Sequence, residues 1–393
     1  MSALFNLFYL YDPWLFHVFR MAFFCGAVAW LYLVYCGYRN RLPHGIVVPL
    51  DSFAVIIALI IFSFVPLLVH GTKDFSVIIQ YSKTLILFVF AVGIYNLFYI
   101  GAGAQASMVR DLKIGIGVQA LIGFLALAGL SLAIDVALSA HVLLPRFYGS
   151  EQEYRLYNIT SAAFFQLSAF YLMLLHFLLA YNQRHNTVSA VFLFLLLCIG
   201  LISGRTFLLL SVVSIALYFK WRYIPALLLF AALCVFLALN YADNPYVAHA
   251  LEPLINILNH RGLTSSSTDT LMQKHLFMPQ WHQLLFGDGY YVTPEGKYYG
   301  GTDSGFLRQA LYGGVLNVLA CFLFTAYFVH KIALNWFDGS RLFTLSSLLI
   351  LSVLNIKADT YAFPGIMLML LMLLSLFGKQ GKYRVLFKNE ENR

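Results

Sequence analysis

Four arginines lie in connections between long apolar segments, on the side of the predicted membrane that carries few other basic residues. They are Arg146, Arg155, Arg205 and Arg261. A guanidinium presents a rigid fork of donors that matches phosphate oxygens, and it stays charged at any working pH. Several such groups facing one point would hold a pyrophosphate. The alternative for each arginine alone is a structural ion pair with a nearby carboxylate such as Glu151.

A base is the second requirement for transfer to a hydroxyl acceptor, and Asp303 has a suitable position. It lies within residues 300–305, Gly-Gly-Thr-Asp-Ser-Gly, where a long polar connection returns to an apolar segment. A carboxylate or an imidazole of suitable pKa removes the proton in such reactions. His282 is the second candidate, and His275 and Asp288 are further ones. The alternative for Asp303 is a helix N-cap, a position that also favours Asp.

Other polar residues near these positions are candidates for additional substrate contacts. They are Arg308, Lys357, Asp288 and Tyr290. The sequence contains no Asp-x-Asp pair, Walker loop, Gly-rich dinucleotide motif, Gly-x-Ser-x-Gly elbow or His-Glu-x-x-His motif. Its five cysteines lie inside apolar segments without metal-ligand spacing. These patterns give no support for a metal-bound nucleotide-sugar site or a zinc site, and we expect no cofactor.

The composition is that of a chain whose main solvent is lipid. Hydrophobic residues make up 61% of the sequence and charged residues 11%, whereas soluble domains carry roughly a quarter charged residues. A helix needs about 20 apolar residues to cross a bilayer, and such stretches recur along the whole chain. We therefore predict an all-α, polytopic integral membrane protein with a single membrane domain over 1–393.

Eleven transmembrane helices are predicted from the apolar stretches. Their approximate spans are 14–36, 50–70, 84–102, 114–138, 159–181, 188–203, 206–219, 224–241, 304–330, 342–356 and 362–378. The Gly204-Arg205 pair divides one long apolar run into two spans, because a charge at mid-bilayer costs about 2.5–3.5 kcal/mol on insertion scales.

The basic residues predict the orientation, because short cytoplasmic loops are rich in Lys and Arg. With the basic C-terminal segment inside, most basic connections also fall inside, and the connection 242–303 falls outside. Its length is typical of a functional loop, and its aromatic content predicts short amphipathic helices over about 269–283. The basic residues are spread over many connections without forming a stripe, so we expect no nucleic-acid partner.

Four short stretches and one arginine resemble the O-antigen polymerase (Wzy) family. Residues 284–290, Leu-Leu-Phe-Gly-Asp-Gly-Tyr, match its Leu-Phe-Gly turn, and residues 302–314 match its Asp-Ser-Gly motif and the helix start ending in Gly. Residues 203–206, Ser-Gly-Arg-Thr, resemble the Ser-Arg-Thr turn of that family and of the related O-antigen ligases. Residues 145–149 resemble an Arg-Phe-x-Gly segment, and Arg261 stands where both groups carry an arginine in the large periplasmic loop.

The resemblance implies a GT-C-like membrane fold and a bacterial inner-membrane enzyme whose active site faces the periplasm. The growing glycan would leave undecaprenyl pyrophosphate and join the non-reducing end of a lipid-linked repeat unit. In that scheme Arg146, Arg155, Arg205 and Arg261 hold pyrophosphates, and Asp303 orients or deprotonates the acceptor. The implied partners are undecaprenyl-pyrophosphate-linked oligosaccharides, membrane lipid, and a chain-length regulator and flippase.

Two alternatives stand beside the polymerase. Ligases, which transfer glycan to lipid A core, place a His-Asn pair where this chain has Asp303 and Ser304, and this departure favours the polymerase. The family also often has Asn-Pro soon after Arg-Phe-x-Gly, whereas here only Asn158 stands nearby. A transporter of lipid-linked oligosaccharides usually has functional charges at mid-membrane and paired broken helices, and neither is visible in the sequence.

Overall fold

The computed structural model describes residues 1–15, 18–42, 44–141, 144–260, 262, 265–378 and 383–386, and this part of the chain is mostly helical. It divides into two compact units, one formed by 1–25 and 103–266 and the other by 26–102 and 267–393. The boundaries lie after Cys25, after Ala102 and after Ser266. The large loop predicted over 242–303 is therefore shared between the two units.

The first unit contains a short strand pair and most of the helices that precede the large loop. Its elements are α1 (Ser2–Tyr11), β1 (Trp14–Leu15), β2 (Phe19–Arg20), the start of α2 (Met21–Tyr38), α6 (Ala104–Leu127), α7 (Ser131–Ser139), α8 (Phe164–His185), α9 (Ala190–Ser203), α10 (Arg205–Leu217), α11 (Ile224–Asn240), α12 (Pro245–Ala250) and α13 (Glu252–Leu258).

The second unit contains the remaining helices and a second strand pair. Its elements are the rest of α2, β3 (Ile46–Pro49), α3 (Leu50–Phe62), α4 (Phe64–His70), α5 (Ser76–Phe98), α14 (Ser266–Thr270), α15 (Trp281–Phe286), α16 (Gly305–Phe337), α17 (Arg341–Lys357), α18 (Ile366–Leu374) and β4 (Tyr383–Leu386).

Six helical segments in the described ranges are long and apolar enough to cross a membrane. They are Met21–Tyr38, Leu50–His70, Ser76–Phe98, Phe164–His185, Trp221–Asn240 and Gly305–Phe337. The helical membrane character predicted from composition is thus present, but the number of eleven spans is not confirmed. Two predicted spans correspond to shorter apolar helices, α9 and α10. Helix α6 has 24 residues, but it carries Arg110, Asp111 and Lys113.

The N-terminal region differs from the predicted span over 14–36. A helix precedes it, a tight β1–β2 hairpin follows, and α2 begins only at Met21. The hairpin is held by Asp12, whose carboxylate accepts bonds from the Arg20 Nε at 2.5 Å and from the Ala22 N–H at 3.0 Å. Arg20 therefore belongs to an ion pair before the helix rather than to a membrane span.

A second strand pair closes the opposite end of the sequence. β3 pairs antiparallel with β4, and the register places Ile46 opposite Leu386 and Pro49 opposite Tyr383. The pairing joins a segment between α2 and α3 to the C-terminal segment, which the sequence predicted only as a basic tail.

Helix α16 breaks at Gly313 and Gly314, and the loop after α15 docks into the break. The backbone N–H of Asp288 donates to the Leu311 carbonyl at 2.7 Å, and that of Gly289 donates to the Tyr312 carbonyl at 3.0 Å. These carbonyls lack their usual helical partners because the helix is interrupted just after them. Residues 284–290 and 302–314 are thus joined directly by backbone hydrogen bonds.

Residues 72 and 74 form hydrogen bonds to the backbone of the same loop, at residues 289–292. The Thr72 hydroxyl donates to the Gly289 carbonyl at 2.7 Å. Asp74 accepts from the N–H groups of Tyr291 at 2.6 Å and Val292 at 2.8 Å. The large loop accordingly has a fixed conformation where it returns to α16. The short helices predicted within it are present as α14 and α15, with different bounds.

The substitution Gly314→Ala is expected to destabilise the protein. Gly314 has φ +69, and an added Cβ would overlap the carbonyl group of Leu285, so backbone strain adds to overpacking that costs about 1–3 kcal/mol. The matched control is Gly296→Ala, since Gly296 has φ +76 but open space around it. Thermal midpoints of the purified variants measure the difference, and equal midpoints would show that the docking contact does not matter.

Candidate functional site

Arg155 is the centre of the charged cluster in the first unit. It lies in a short 3-10 turn over Glu153–Leu156, between α7 and α8. Its Nε donates to the Ser203 carbonyl at 3.2 Å, and its Nη1 donates to Gln152 Oε1 at 3.3 Å. The guanidinium lies over the Phe164 ring, 4.4 Å from the ring centre. A cation held this way has fixed geometry but only neutral partners.

The turn between α9 and α10 packs directly on this guanidinium. Gly204 has φ +153, and a Cβ there would lie 2.8 Å from both Arg155 Nη2 and the Ser168 hydroxyl. Only glycine combines this backbone conformation with this close approach. The Ser-Gly-Arg-Thr turn therefore positions Arg205, and its glycine leaves space for the Arg155 guanidinium.

Arg205 itself is paired with a carboxylate. Its guanidinium forms an ion pair with Glu252, at the start of α13, and the side chains are 13% and 25% exposed. Glu252 also accepts from the backbone N–H and the hydroxyl of Ser266, both at 3.0 Å. For Arg205, the structure therefore shows a structural ion pair, which the sequence analysis gave as the alternative to pyrophosphate binding.

Two aromatic rings, of Phe147 and Phe164, lie between Arg146 and Arg155. The Arg146 guanidinium lies 4.8 Å from the centre of the Phe147 ring. The Phe147 and Phe164 rings are 4.5 Å apart, and Phe164 carries Arg155 on its face. The predicted Arg-Phe-x-Gly segment therefore lies beside Arg155, with the exposed Arg146 at its edge.

Carboxylates lie near this cluster in the part of the chain that the structure describes: Glu151 acts electrostatically on Arg205 and Tyr154, and Glu153 shares the short turn with Arg155. There, neither Arg146 nor Arg155 forms an ion pair with a carboxylate. Burial lowers the pKa of Arg155 to about 10, and the positive charge of Arg205 acts in the same direction. Arg155 still carries its proton at neutral pH. It is therefore a partly buried cation without an ion-pair partner among the described residues.

His249 lies close enough to Arg205 and Arg155 for their positive charges to affect its pKa. It accepts or donates a bond with the Tyr154 hydroxyl at 2.9 Å. Burial, followed by the positive charges of Arg205 and Arg155, lowers the pKa of His249 to about 4. The imidazole is therefore neutral at pH 7, and it neither adds to the positive charge nor compensates it.

An apolar cavity of about 280 Å³ adjoins this cluster. It is lined by Leu127 of α6, Leu201 and Ile202 of α9, Leu237 of α11, Tyr154, and Tyr246 and Val247 of α12. Tyr154 borders the cavity, and it directly precedes Arg155 in the chain. The cavity and the charged cluster are therefore neighbours through Tyr154, although no arginine is among the residues that line the cavity. The fourth predicted arginine, Arg261, lies outside the described residues.

Asp303 lies in the second unit, where it is paired with His275. The Nε2 of His275 is 3.5 Å from the Asp303 carboxylate, which is 55% exposed. The His275 Nδ1 is 3.2 Å from the backbone N of Asp303, and the Thr302 hydroxyl donates to the His275 carbonyl at 2.6 Å. The backbone around Asp303 thus holds the imidazole against an accessible carboxylate.

The N-cap alternative for Asp303 does not match this geometry. Helix α16 begins at Gly305 and its N-cap is Ser304, which is buried and makes no side-chain cap hydrogen bond. The carboxylate of Asp303 lies one residue earlier and faces His275. Its position is therefore not accounted for by capping.

His282, the second predicted catalytic residue, pairs with Asp288 and not with Asp303. The His282 Nε2 is 3.5 Å from Asp288, and the imidazole is 60% exposed. Asp288 also accepts from Gln283 at 2.7 Å and from the Tyr299 hydroxyl at 3.0 Å. The ring of Tyr290, a predicted binding residue, lies beside the Tyr299 ring at a tilt of 33°, with the ring centres 5.6 Å apart.

Arg308 forms an ion pair that the sequence did not anticipate. Its Nη1 is 2.5 Å from Asp359, and the two side chains are 5% and 2% exposed. The Tyr291 hydroxyl also donates to Asp359, and the Tyr298 ring covers the guanidinium at 3.1 Å. This enclosed arrangement stabilises the start of α16. Lys357, the other predicted cation, ends α17 two residues before Asp359.

Asp359 was missed because no motif marks it. The one available signal is its position in the short connection after Lys357, at the same predicted side of the membrane as Arg308. Burial raises the pKa of Asp359, while Arg308 opposes that shift. A buried carboxylate of this kind needs its cation.

The predicted site residues are thus divided between the units. Arg146, Arg155 and Arg205 lie in the first, whereas the predicted base and its neighbours lie in the second. Comparisons of the chain with protein-family models, with curated proteins and with solved structures found no match.

The substitution Gly204→Ala is expected to weaken binding of inorganic pyrophosphate, because a methyl group would displace the Arg155 guanidinium. The matched control is Gly129→Ala in the same unit, since Gly129 also has positive φ but nothing within 4 Å. The readout is the rise in thermal midpoint on adding pyrophosphate, which scales with affinity. Equal rises in both variants would remove Arg155 from the site.

Proposed function

We propose that this protein is a polysaccharide polymerase of the bacterial inner membrane, with its active site on the periplasmic face. It transfers a growing O-antigen or capsule glycan from undecaprenyl pyrophosphate to the non-reducing end of a lipid-linked repeat unit. The reaction is a metal-independent glycosyl transfer. The sequence resemblance to the O-antigen polymerase family suggests this chemistry, and the geometry of the first unit supports it.

The observation that carries the proposal is the environment of Arg155. A partly buried guanidinium with neutral partners is costly unless an anion completes it. Arg205 and the exposed Arg146 add positive charge nearby. In this proposal a pyrophosphate occupies that position, and Arg261 contributes from the large loop 242–303.

The apolar cavity beside Tyr154 explains why the anion would be a lipid. A free pyrophosphate needs only the guanidinium groups. A polyprenyl pyrophosphate also places its first isoprene unit next to the phosphates, and apolar space at that point is favourable by about 25 cal/mol per Å² of buried surface. Charge and cavity together match the two ends of such a donor.

The transfer forms one bond and breaks one. The acceptor hydroxyl attacks the anomeric carbon of the donor sugar, and the bond from that carbon to the pyrophosphate oxygen breaks. Negative charge grows on the departing pyrophosphate, where fixed guanidinium groups stabilise it. A base takes the proton of the hydroxyl; the sequence assigns this role to Asp303, whose carboxylate lies 3.5 Å from the His275 Nε2 within the second unit.

Deletion of the gene in a host that makes O-antigen or capsule tests the proposal against its alternatives. A polymerase mutant should leave a single repeat unit attached to the acceptor. Loss of all attached glycan with long lipid-linked chains would identify a ligase, and loss of both would identify a transporter. Gel analysis of surface glycan and of lipid-linked intermediates distinguishes the three.

Complementation with Arg155→Lys should restore little polymer. Lysine keeps the charge but loses the two-pronged donor geometry, and losing one fixed donor to a developing oxyanion costs roughly 10²–10³ in rate. Arg39→Lys, at an exposed arginine on the end of α2, controls for the exchange itself. Full polymer with Arg155→Lys at matched membrane abundance would contradict the pyrophosphate clamp.

Asp303→Asn should leave the protein inserted but reduce polymer by roughly the 10²–10⁴ expected for loss of general acid–base catalysis. Asn has nearly the shape of Asp, but it cannot take the proton. Asp269→Asn, at an exposed carboxylate of the same loop, is the control. Chain-length distribution on a gel is the measurement. If Asp303→Asn is fully active, His282 with Asp288 becomes the candidate base.

A further inference from the structure

A second cavity, of about 400 Å³, lies at one end of three helices in the first unit, away from the arginine cluster. Arg110, Lys113 and Ile114 of α6 line it, together with Tyr181 of α8 and Phe192 of α9. The proposed function makes no use of it. Its position beside the connection between α8 and α9 places it at helix ends, where a membrane surface would be.

Lys113 supplies the charge of this cavity. Its ammonium donates to the Thr187 carbonyl at 2.8 Å and lies 5.4 Å from the centre of the Phe192 ring. Within the described ranges no carboxylate forms an ion pair with it. An ammonium has three donors, so the carbonyl leaves it able to bind an anion.

Arg110 supplies further donors at the rim. Its Nε and Nη2 are both 3.0 Å from the buried carboxylate of Asp111, and Nη2 also reaches the Ser2 hydroxyl at 3.3 Å. These contacts hold the guanidinium in place while its side chain stays 61% exposed. A rigid donor edge therefore stands beside the ammonium of Lys113.

The rest of the cavity lining is mainly apolar, with the hydroxyl-bearing residues Tyr181 and Thr187 among it, and this apolar part selects the ligand. Val109 is buried, whereas Ile114 is 45% exposed although it is a large aliphatic residue on a helix. A free phosphate would satisfy Lys113 and leave these side chains uncovered. A phosphodiester that carries acyl chains would satisfy both, and basic pockets between membrane helices are known to bind anionic headgroups.

We propose that this cavity binds the phosphate headgroup of an anionic phospholipid, with the headgroup on Lys113 and Arg110 and an acyl chain along Ile114 and Phe192. The lipid is a structural ligand that joins the ends of α6, α8 and α9. The site does not depend on the polymerase assignment, because none of its residues belongs to the proposed catalytic machinery.

The test uses the purified full-length protein in neutral detergent and measures bound lipid by native mass spectrometry. Phosphatidylglycerol should bind more tightly than phosphatidylcholine. Lys113→Gln should weaken phosphatidylglycerol roughly fivefold, the equivalent of about 1 kcal/mol for one basic residue near a headgroup. Arg39→Gln removes the same charge from an exposed position elsewhere and should change nothing.

Lys113→Arg keeps the charge and should retain the preference for phosphatidylglycerol, which separates loss of binding from loss of folding. Thermal midpoints with inorganic phosphate form the second arm. Equal stabilisation by phosphate alone would show a free-anion site and overturn the proposal. It would also be overturned by equal binding of the two lipids, or by Arg39→Gln weakening binding as much as Lys113→Gln.

Discussion

Charge held in an apolar setting is the constraint that organises both units of this protein. In the described part of the chain, three cations resolve it by pairing with a carboxylate distant in sequence: Arg205 with Glu252, Arg308 with Asp359, and Lys331 with Asp51 at 2.5 Å. Removing one partner of such a pair is strongly destabilising because the other charge is left behind. These pairs join segments that are far apart in sequence, so they act as structural clamps.

Arg155 resolves the same constraint differently. Its neighbours are a carbonyl, an amide oxygen and a phenyl ring, which fix its geometry without cancelling its charge. In the proposed function this arrangement receives the pyrophosphate. Arg205, at the start of α10, is by contrast already paired with Glu252.

Two imidazole–carboxylate pairs in the second unit show a similar contrast. In one pair the carboxylate of Asp303 is exposed and His275 is the more buried partner. In the other pair the imidazole of His282 is exposed, and Asp288 is held by Gln283 and Tyr299. Each pair therefore exposes one group that a reacting hydroxyl could reach, the carboxylate of Asp303 or the imidazole of His282, and the proposed function assigns the base to Asp303.

The sequence by itself determined the apolar helical character, the position of Arg155 in the connection before α8, and the turn at Gly204. These follow from local composition and from glycine at turns, which act over a few residues. Only the tertiary structure decided that Arg205 is paired, that Arg308 meets Asp359, and that the loop at Asp288 docks into a broken α16. Those outcomes depend on contacts between distant segments, since a guanidinium, a carboxylate or a freed carbonyl carries no local sign of which partner will reach it.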